Sequence, residues 1–236
     1  MLSEYFLRVK LQFRKPINYI YSFSFFKQFI GPNKLFFDIG ANVGNRTRVF
    51  NRLGVKVVAL EPQSNCADKL AKEFVNKNVV IVRKGVGRGM GEMRMSVCTN
   101  VSSISTFSED WKTGRFKNFK FDKEIVVPMT TLDKLIAEYG SPDFCKIDVE
   151  GYEFEVFAGL TKKIDCLNFE FTSEFFKNTI KCLERLIVIG FKEFNFTLGE
   201  EPFFILQSWV NKDMLHAIIE EKIKNNTDLW GDIYAR

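Results

Sequence analysis

An acidic residue followed by two glycines is the first stretch of this sequence whose residue types suit ligand binding. In LFFDIGANVGNRT, residues 35–47, an apolar strand ends at Asp38, and Gly40 and Gly44 follow in a turn that leads into a helix. Glycine lets the backbone approach a ligand closely, and a helix N-terminus offers free N–H groups and a partial positive charge. A ligand carboxylate can therefore lie on the turn, while Asp38 faces an ammonium group directly or through water.

A second acidic residue follows after one strand–helix unit. The segment VKVVALEPQ, residues 55–63, predicts a strand that ends at Glu61. A carboxylate at this position accepts hydrogen bonds from both ribose hydroxyls in dinucleotide-binding sheets. The glycine pattern D-x-G-x-N-x-G differs from the dinucleotide pattern G-x-G-x-x-G, and Asp38 would repel a pyrophosphate. We therefore expect S-adenosylmethionine rather than a dinucleotide, and the remaining alternative is a glycine turn that only packs a helix on a strand.

Three charged residues alternate along a later strand, in PDFCKIDVEGYEFEVFAGL, residues 142–160. Lys146, Asp148 and Glu150 share one face if the strand continues, and its carboxyl end is where open α/β sheets bind ligands. Methyl transfer from a sulfonium requires an aligned acceptor and a group that removes a proton. Asp148 and Glu150 are the best candidates for that base, because burial raises the pKa of a carboxylate. For Lys146, an ion-paired strand residue is an equally good reading.

Glu170 is a further candidate for the base or for a metal ligand, and His216 is a further candidate for the base. Glu170, at the end of the next predicted strand, can join the carboxylates at this edge. Asp148, Glu150 and Glu170 can instead hold a divalent cation through oxygen ligands, although we favour a metal-free base. The single histidine, His216, lies in a late helix far from this edge in sequence and is not favoured as the base. Glu153 and Glu155 are expected on a solvated helix face.

Four motifs together resemble the FkbM-type methyltransferases. They are D-I-G-A-N-V-G at 38–44, E-P at 61–62, T-L-D at 131–133 and K-I-D-V-E-G-Y-E at 146–153, and the resemblance covers about residues 34–171. It implies a class I, Rossmann-like methyltransferase fold with S-adenosylmethionine as the methyl donor. It also implies O-methylation of a hydroxyl, usually on a sugar or a natural-product scaffold.

The resemblance and the residue chemistry together select the candidate site residues. Family members commonly carry A-V-G or A-L-G after the third strand, where this chain has Gly85-Val86-Gly87. The residues expected to bind the cofactor are Asp38, Gly40, Ala41, Asn42, Gly44, Glu61, Pro62, Gly87, Ser103 and Asp148. The residues expected at the reacting centre are Asp148, Glu150, Lys146 and Glu170.

The elements that must position these residues alternate between strands and helices. From Lys34 onward the pattern predicts an α/β fold with a doubly wound, mostly parallel seven-stranded sheet. Residues 1–33 predict an aromatic-rich helical extension, and 34–236 the methyltransferase domain, with an insertion or mobile loop at about 85–128. The predicted strands lie near 35–39, 55–60, 79–83, 143–148, 164–171, 191–196 and 203–209. The predicted helices lie near 44–53, 64–76, 131–139, 152–160, 175–189 and 211–225.

Composition excludes several classes of protein. With one histidine and five cysteines that form no CxxC pair, a zinc site is not expected. The odd number of cysteines, some in apolar runs, predicts reduced thiols and a cytoplasmic location. Charges interrupt the N-terminal segment before a signal peptide can form. No run reaches the ~18 apolar residues of a membrane span.

The acceptor is expected to be a small molecule or glycan. The candidates for its site are aromatic or basic residues of the N-terminal segment and of segment 100–121: Tyr19, Tyr21, Phe25, Phe26, Ser102, Ser103, Trp111, Arg115, Lys117 and Phe119. The N-terminal aromatics can instead pack on the domain or on a second subunit of a homo-oligomer. A net charge of +5 is low for a nucleic-acid enzyme of 236 residues, so an RNA methyltransferase is the less favoured alternative, together with a non-catalytic binding module.

Overall fold

A seven-stranded sheet with helices on both faces forms the body of the protein. The computed structural model describes residues 16–114 and 116–236, with side chains from residue 21 onward. The main sheet has the order β3-β2-β1-β7-β8-β10-β9, and β10 alone runs antiparallel to its neighbours. The predicted doubly wound, mostly parallel seven-stranded sheet is therefore confirmed. Its strands are β1 (Leu35–Ile39), β2 (Lys56–Leu60), β3 (Val79–Val82), β7 (Phe144–Ile147), β8 (Cys166–Thr172), β9 (Phe194–Phe196) and β10 (Trp230–Ala235).

Helices cross between these strands as the sequence pattern predicts. Thr131 and Asn211 begin two of them, and each side chain accepts a hydrogen bond from a backbone N–H of the first turn, the usual role of such residues at a helix start. The helices are α1 (Pro16–Phe26), α2 (Asn45–Arg52), α3 (Ser64–Glu73), α4 (Glu109–Thr113), α5 (Leu132–Tyr139), α6 (Glu153–Ala158), α7 (Phe176–Ile189) and α8 (Lys212–Asn225).

The position of the last strand differs from the prediction. The run 203–209 was predicted as a strand, but it is irregular, and only Val210 beside it forms a bridge, to Phe194. The antiparallel strand is Trp230–Ala235 instead, which contains the poor strand formers Gly231 and Asp232. This segment becomes a strand because it lies between β8 and β9 and pairs with both. The run 203–209 makes no regular ladder with β9, because the N–H of Ile205 donates to the Phe196 carbonyl whereas the N–H of Leu206 donates to the side chain of Asn195.

The stretch from 85 to 128, predicted as an insertion or mobile loop, contains a second sheet. Its order is β4-β6-β5, formed by β4 (Gly85–Val86), β5 (Gly91–Val97) and β6 (Lys123–Thr130). Between β5 and β6 the chain forms a short 3-10 turn at Ser102–Ile104 and then α4. We call residues 98–114 and 116–122 the cap, because Ser102, Thr106 and Trp111 contact residues that follow β2 and β7 at the carboxyl edge of the main sheet.

The N-terminal helix belongs to the core of the domain. Phe26 is only 2% exposed and packs on Phe50, which stacks on Phe36 of β1 with ring centroids 3.6 Å apart. Phe25 is also buried, against Phe204 and Tyr234. The sequence suggests that the N-terminal aromatics either line the acceptor site or pack on the domain or on a second subunit. Phe25 and Phe26 pack on the domain. The predictions for residues 1–15 and for the side chain of Tyr19 lie outside the described residues.

Candidate functional site

The chain reverses its direction of travel across the sheet between β1 and β7. Strands β2 and β3 extend to one side of β1, whereas β7 and β8 extend to the other. Ligands of open α/β sheets bind in the crevice that such a switch point creates at the carboxyl ends of the strands. The turn after β1 and the residues after β7 meet at this point, so the candidate residues of both motifs are brought together.

The turn after β1 requires glycine at position 40. Gly40 has a φ of +83°, and a Cβ atom there would lie 1.9 Å from the backbone oxygen of Asp148. Its N–H and that of Ala41 both donate to the carbonyl of Leu60, at 3.0 and 2.9 Å. Asn42 also has a positive φ, +47°. The turn is therefore held against β2 and β7 with almost no space between the backbones.

Glu61 is bound by this turn through backbone groups. One carboxylate oxygen accepts the N–H of Asn42 at 2.8 Å and the other accepts the N–H of Gln63 at 2.8 Å. Burial raises the pKa of Glu61 to about 7, although these hydrogen bonds act in the opposite direction. A carboxylate has about four lone-pair sites, so two fixed hydrogen bonds leave acceptor capacity on both oxygens. The geometry suits a ligand with two neighbouring hydroxyls.

Asp38 lies beneath the turn. Its carboxylate accepts a hydrogen bond of 2.6 Å from the hydroxyl of Thr47 in α2, and burial raises its pKa. It is not among the residues that line the cleft above. The sequence suggests that Asp38 faces a ligand ammonium either directly or through water. Its position outside the cleft lining agrees with contact through water.

A cleft of about 470 Å³ opens above the turn. Six of the ten residues expected to bind the cofactor line it: Gly40, Asn42, Glu61, Pro62, Ser103 and Asp148. Four do not: Asp38, Ala41, Gly44 and Gly87. Residues that the sequence reading missed also line it: Gln63, Lys84, Gly85, Met95, Ser105 and Phe107.

Gln63 connects the cleft to the cap. Its side-chain amide donates to the carbonyl of Ser102 at 3.0 Å and accepts from the hydroxyl of Ser105 at 3.3 Å. Ser102 also lies within hydrogen-bond distance of Asn42, at 3.3 Å. The position of Gln63 directly after E-P was the one available signal for this role.

Three predicted carboxylates meet at the far end of the cleft. One oxygen from each of Asp148, Glu150 and Glu170 lies within 4.8 Å of the others. Glu150 has a φ of +54°, which is rare for a residue with a side chain, and Gly151 follows with +88°. Such strain persists where surrounding structure enforces it, commonly at functional sites. Here the hydroxyl of Thr106 in the cap donates to the Glu150 carbonyl at 2.7 Å.

Lys146 is an ion-paired partner of this carboxylate cluster. Its ammonium lies 3.0 Å from Asp148 and 3.9 Å from Asp232, and its side chain is almost fully buried. Burial lowers the pKa of Lys146, but the two carboxylates raise it further, so the pKa lies above its ordinary value. The side chain therefore stays protonated at neutral pH and compensates the charge of Asp148.

Glu153 corrects one sequence expectation. It was expected on a solvated helix face, but it is only 4% exposed, and the N–H of Gly151 donates to it at 3.2 Å. Burial raises the pKa of Glu153 to about 8. The first turn of α6 faces the sheet edge, so this side chain is turned inward. Glu155, two residues later, instead pairs with Arg88 at the surface.

The remaining candidates are dispersed. His216 packs its ring 5.5 Å from that of Phe176 and is not among the residues that line the cleft above the turn. Trp111 of the cap is buried and lies over Gly151, where an added Cβ would come within 2.8 Å of the indole. Phe119 belongs to the apolar cluster of the cap. Arg115 lies outside the described residues.

Comparison with known proteins gives one family. The family model described as the methyltransferase FkbM domain matches residues 38–208. No curated protein matches the sequence.

Solved structures with similar folds are distant in sequence. A TehB-like SAM-dependent methyltransferase from Corynebacterium glutamicum has 11% identity and a TM-score of 0.47, with 91% of this chain and 86% of that chain covered. A precorrin-6y C5,15-methyltransferase from Geobacter metallireducens has 12% identity and a TM-score of 0.46, with 94% and 89% covered. An rRNA methylase from Streptococcus thermophilus has 12% identity and a TM-score of 0.45, with 95% and 97% covered.

Proposed function

The chain belongs to the FkbM methyltransferase family, and from that premise we propose that it transfers a methyl group from S-adenosylmethionine to a hydroxyl of a sugar or glycan. One observation carries this proposal. The carboxylates of Asp148 and Glu150 line the cofactor cleft and, together with Glu170, form a cluster at its end. A proton acceptor thus stands next to the place where a methyl group would be presented.

The residues of the cleft fit the cofactor. The part of the cleft lined by Gly40 and Asn42 is suited to the amino-acid part of the cofactor, and Glu61 retains acceptor sites for the two ribose hydroxyls. Ser103, Phe107 and Met95 line the part of the cleft beyond Glu61, where we place the base. The bound cofactor supplies an electrophilic methyl group on a sulfonium.

The residues of this chain have two tasks in the reaction. Asp148 and Glu150 would orient the acceptor hydroxyl, and one of the two carboxylates would take up its proton as the oxygen bonds to the methyl carbon and the bond between that carbon and the sulfur breaks. Lys146 holds Asp148 in place through their ion pair. Because Lys146 stays protonated, we assign it a positioning role rather than that of a base.

A divalent cation is the second candidate at the same position. The carboxylate oxygens of Asp148, Glu150 and Glu170 lie close enough to bind one ion together, and oxygen ligands suit Mg²⁺ or Ca²⁺. These residues would then orient the hydroxyl through the ion. We keep the metal-free base as the main proposal.

The location and assembly of the protein are also proposals. All five cysteines are buried free thiols, which favours a reducing compartment such as the cytoplasm. In the part of the chain that the structure describes, every helix is too short or too polar to cross a lipid bilayer. Phe25 and Phe26 pack in the domain itself, so a homo-oligomer through the N-terminal segment would depend on its other aromatics, such as the exposed Tyr21.

A methyl-transfer screen tests the function. Purified protein is incubated with labelled S-adenosylmethionine and with sugar nucleotides, glycans or RNA, each with and without magnesium. We expect transfer to a hydroxyl of a sugar acceptor, retained in EDTA and lost in Asp148→Asn. Transfer to RNA with strong salt dependence would support a nucleic-acid enzyme instead. Activity lost in EDTA and restored by magnesium would favour the cation.

A further inference from the structure

Strand β10 carries an acidic residue into the interior of the main sheet. Asp232 is only 8% exposed, and it lies directly opposite Glu170 of β8 in the register of the two strands. Aspartate is a poor strand former, and like charges directly opposite each other on neighbouring strands are destabilising. Strand pairing alone therefore gives no reason for a carboxylate at this position.

The backbone of Asp232 is fixed from both sides. Its carbonyl accepts a hydrogen bond of 2.9 Å from the N–H of Thr197, and β8 pairs with it on the other side. At the preceding Gly231, an added Cβ would lie 2.0 Å from the backbone oxygen of Thr197. The segments around Asp232 are therefore in close contact, and its carboxylate projects from a backbone that has little freedom to move.

The ammonium of Lys146 lies between Asp232 and Asp148. It is 3.9 Å from the carboxylate of Asp232 and 3.0 Å from that of Asp148. Asp148 follows Lys146 on the same segment, whereas Asp232 belongs to β10, which β8 separates from β7. Lysine has a flexible four-carbon stem, so one carboxylate alone leaves its ammonium several possible positions. The second carboxylate, fixed to a different strand, restricts the ammonium to the position between the two.

A second cation near Asp232 is engaged by another residue. Arg46 of α2 lines a small hollow together with Asp232, but its guanidinium forms an ion pair with Glu200. Among the ion pairs of the described residues, Asp232 takes part in the one with Lys146. A buried carboxylate is costly unless it is paired, so Lys146 compensates Asp232 while Asp232 holds Lys146.

We propose that Asp232 is a positioning residue for methyl transfer, because it holds the ammonium of Lys146, which fixes the carboxylate of Asp148 beside the acceptor. The inference rests on the function proposed above, in which Asp148 contacts the acceptor hydroxyl. Asp232 is not among the residues that line the cofactor cleft, so its effect passes through Lys146. A misplacement of about 1 Å at a reacting centre can lower the rate by about 100-fold.

Asp232→Asn removes the charge, keeps the size of the side chain and tests the hold on Lys146 without an acceptor. Wild type and variant are crystallised with S-adenosylhomocysteine. In the variant we expect the ammonium to leave residue 232 and the Asp148 carboxylate to shift by about 1 Å. Unmoved Lys146 and Asp148 side chains would overturn the proposal. Asp228→Asn is the matched control, because Asp228 is an exposed carboxylate just before β10, and both side chains should stay in place there.

Kinetics with the acceptor found in the methyl-transfer screen tests the consequence. For Asp232→Asn, kcat should fall by about 10- to 100-fold, while the acceptor KM and the affinity for S-adenosylhomocysteine stay within about twofold. In a Lys146→Met background the same substitution should change kcat by less than about twofold, because a residue that acts through Lys146 then has nothing to hold. Full activity of Asp232→Asn, an equal loss of cofactor affinity, or multiplied losses in the double variant would overturn the proposal.

Two further measurements keep the outcomes distinct. If thermal melting shows that Asp232→Asn does not fold, Asp232→Thr takes its place, since threonine is neutral and favours strands. If wild type does not bind S-adenosylhomocysteine in calorimetry, or methylates no acceptor, the proposed function fails, while the crystal structures still decide whether Asp232 holds Lys146. If cofactor binding and transfer are observed but Lys146 and Asp148 do not move in the variant, the role of Asp232 alone fails.

Discussion

The cofactor cleft and the small cavity lined by Trp111, Glu153 and Glu170 both adjoin the carboxylate cluster, but they are constructed differently. The floor of the cleft comes from one continuous segment, residues 38–63, and is held by backbone hydrogen bonds to Glu61 and Leu60. The small cavity is lined by side chains of the cap, of α6, of β8 and of α7, which are distant in sequence. Local backbone geometry thus fixes the first region, whereas packing of separate elements fixes the second.

The largest effect is expected where the cleft backbone has no space. Gly40→Ala places a Cβ 1.9 Å from the Asp148 oxygen and on a φ of +83°, so we expect a loss of at least about 3 kcal/mol in unfolding free energy and loss of cofactor binding. Urea denaturation and calorimetry measure the two. Gly89→Ala is the control, because no atom lies within 4 Å of its Cβ. Equal behaviour of the two variants would contradict a backbone-defined cleft.

Asp148, at the end of the cofactor cleft, should separate chemistry from binding. For Asp148→Asn we expect kcat to fall by about 10²–10⁴-fold, as for loss of a general base, with a much smaller change in the affinity for S-adenosylhomocysteine. Single-turnover assays and calorimetry check this. Glu155→Gln, which changes a surface carboxylate paired with Arg88, should keep its activity. Full activity of Asp148→Asn would remove this residue from the reacting centre.

A smaller effect is expected at the ribose end of the cleft. Glu61→Ala should weaken S-adenosylmethionine binding by about 1–3 kcal/mol, because it removes hydrogen bonds to a carboxylate and leaves the N–H groups of Asn42 and Gln63 without their acceptor. Calorimetric titration gives the affinity, with Glu73→Ala as a surface control. An unchanged affinity would mean that the ribose lies elsewhere.

A pH dependence of stability is expected from the buried carboxyl of Glu153. The folded-state pKa of Glu153, about 8, lies above its unfolded value near 4.5, so the folded protein binds more protons between these limits. Its contribution to stability is therefore lost as pH rises through this window, by at most about 1.4 kcal/mol per pH unit. Glu153→Gln should lose less stability than wild type between pH 5 and pH 9 in urea denaturation. Parallel pH profiles would show that Glu153 is not held in its neutral form.

The contrast between local backbone geometry and the packing of distant elements explains which features the sequence predicted. Gly40 and Glu61 follow their strands directly, so strand ends and glycine spacing predicted both positions. The meeting of Asp148, Glu150 and Glu170 was also predictable, since neighbouring parallel strands end at one edge. The burial of Glu153 was not, because helix periodicity alone does not show which turn faces the sheet. Strand β10 was not predicted, because it contains the poor strand formers Gly231 and Asp232. It forms because β8 and β9 pair with it at both edges.

The most direct test of the account is a crystal structure with S-adenosylhomocysteine. We expect the nucleoside in the cleft above Gly40, with both ribose hydroxyls on Glu61 and the sulfur facing Asp148. A product molecule bound elsewhere, with the turn at residues 40–44 making no contact to it, would contradict the central claim.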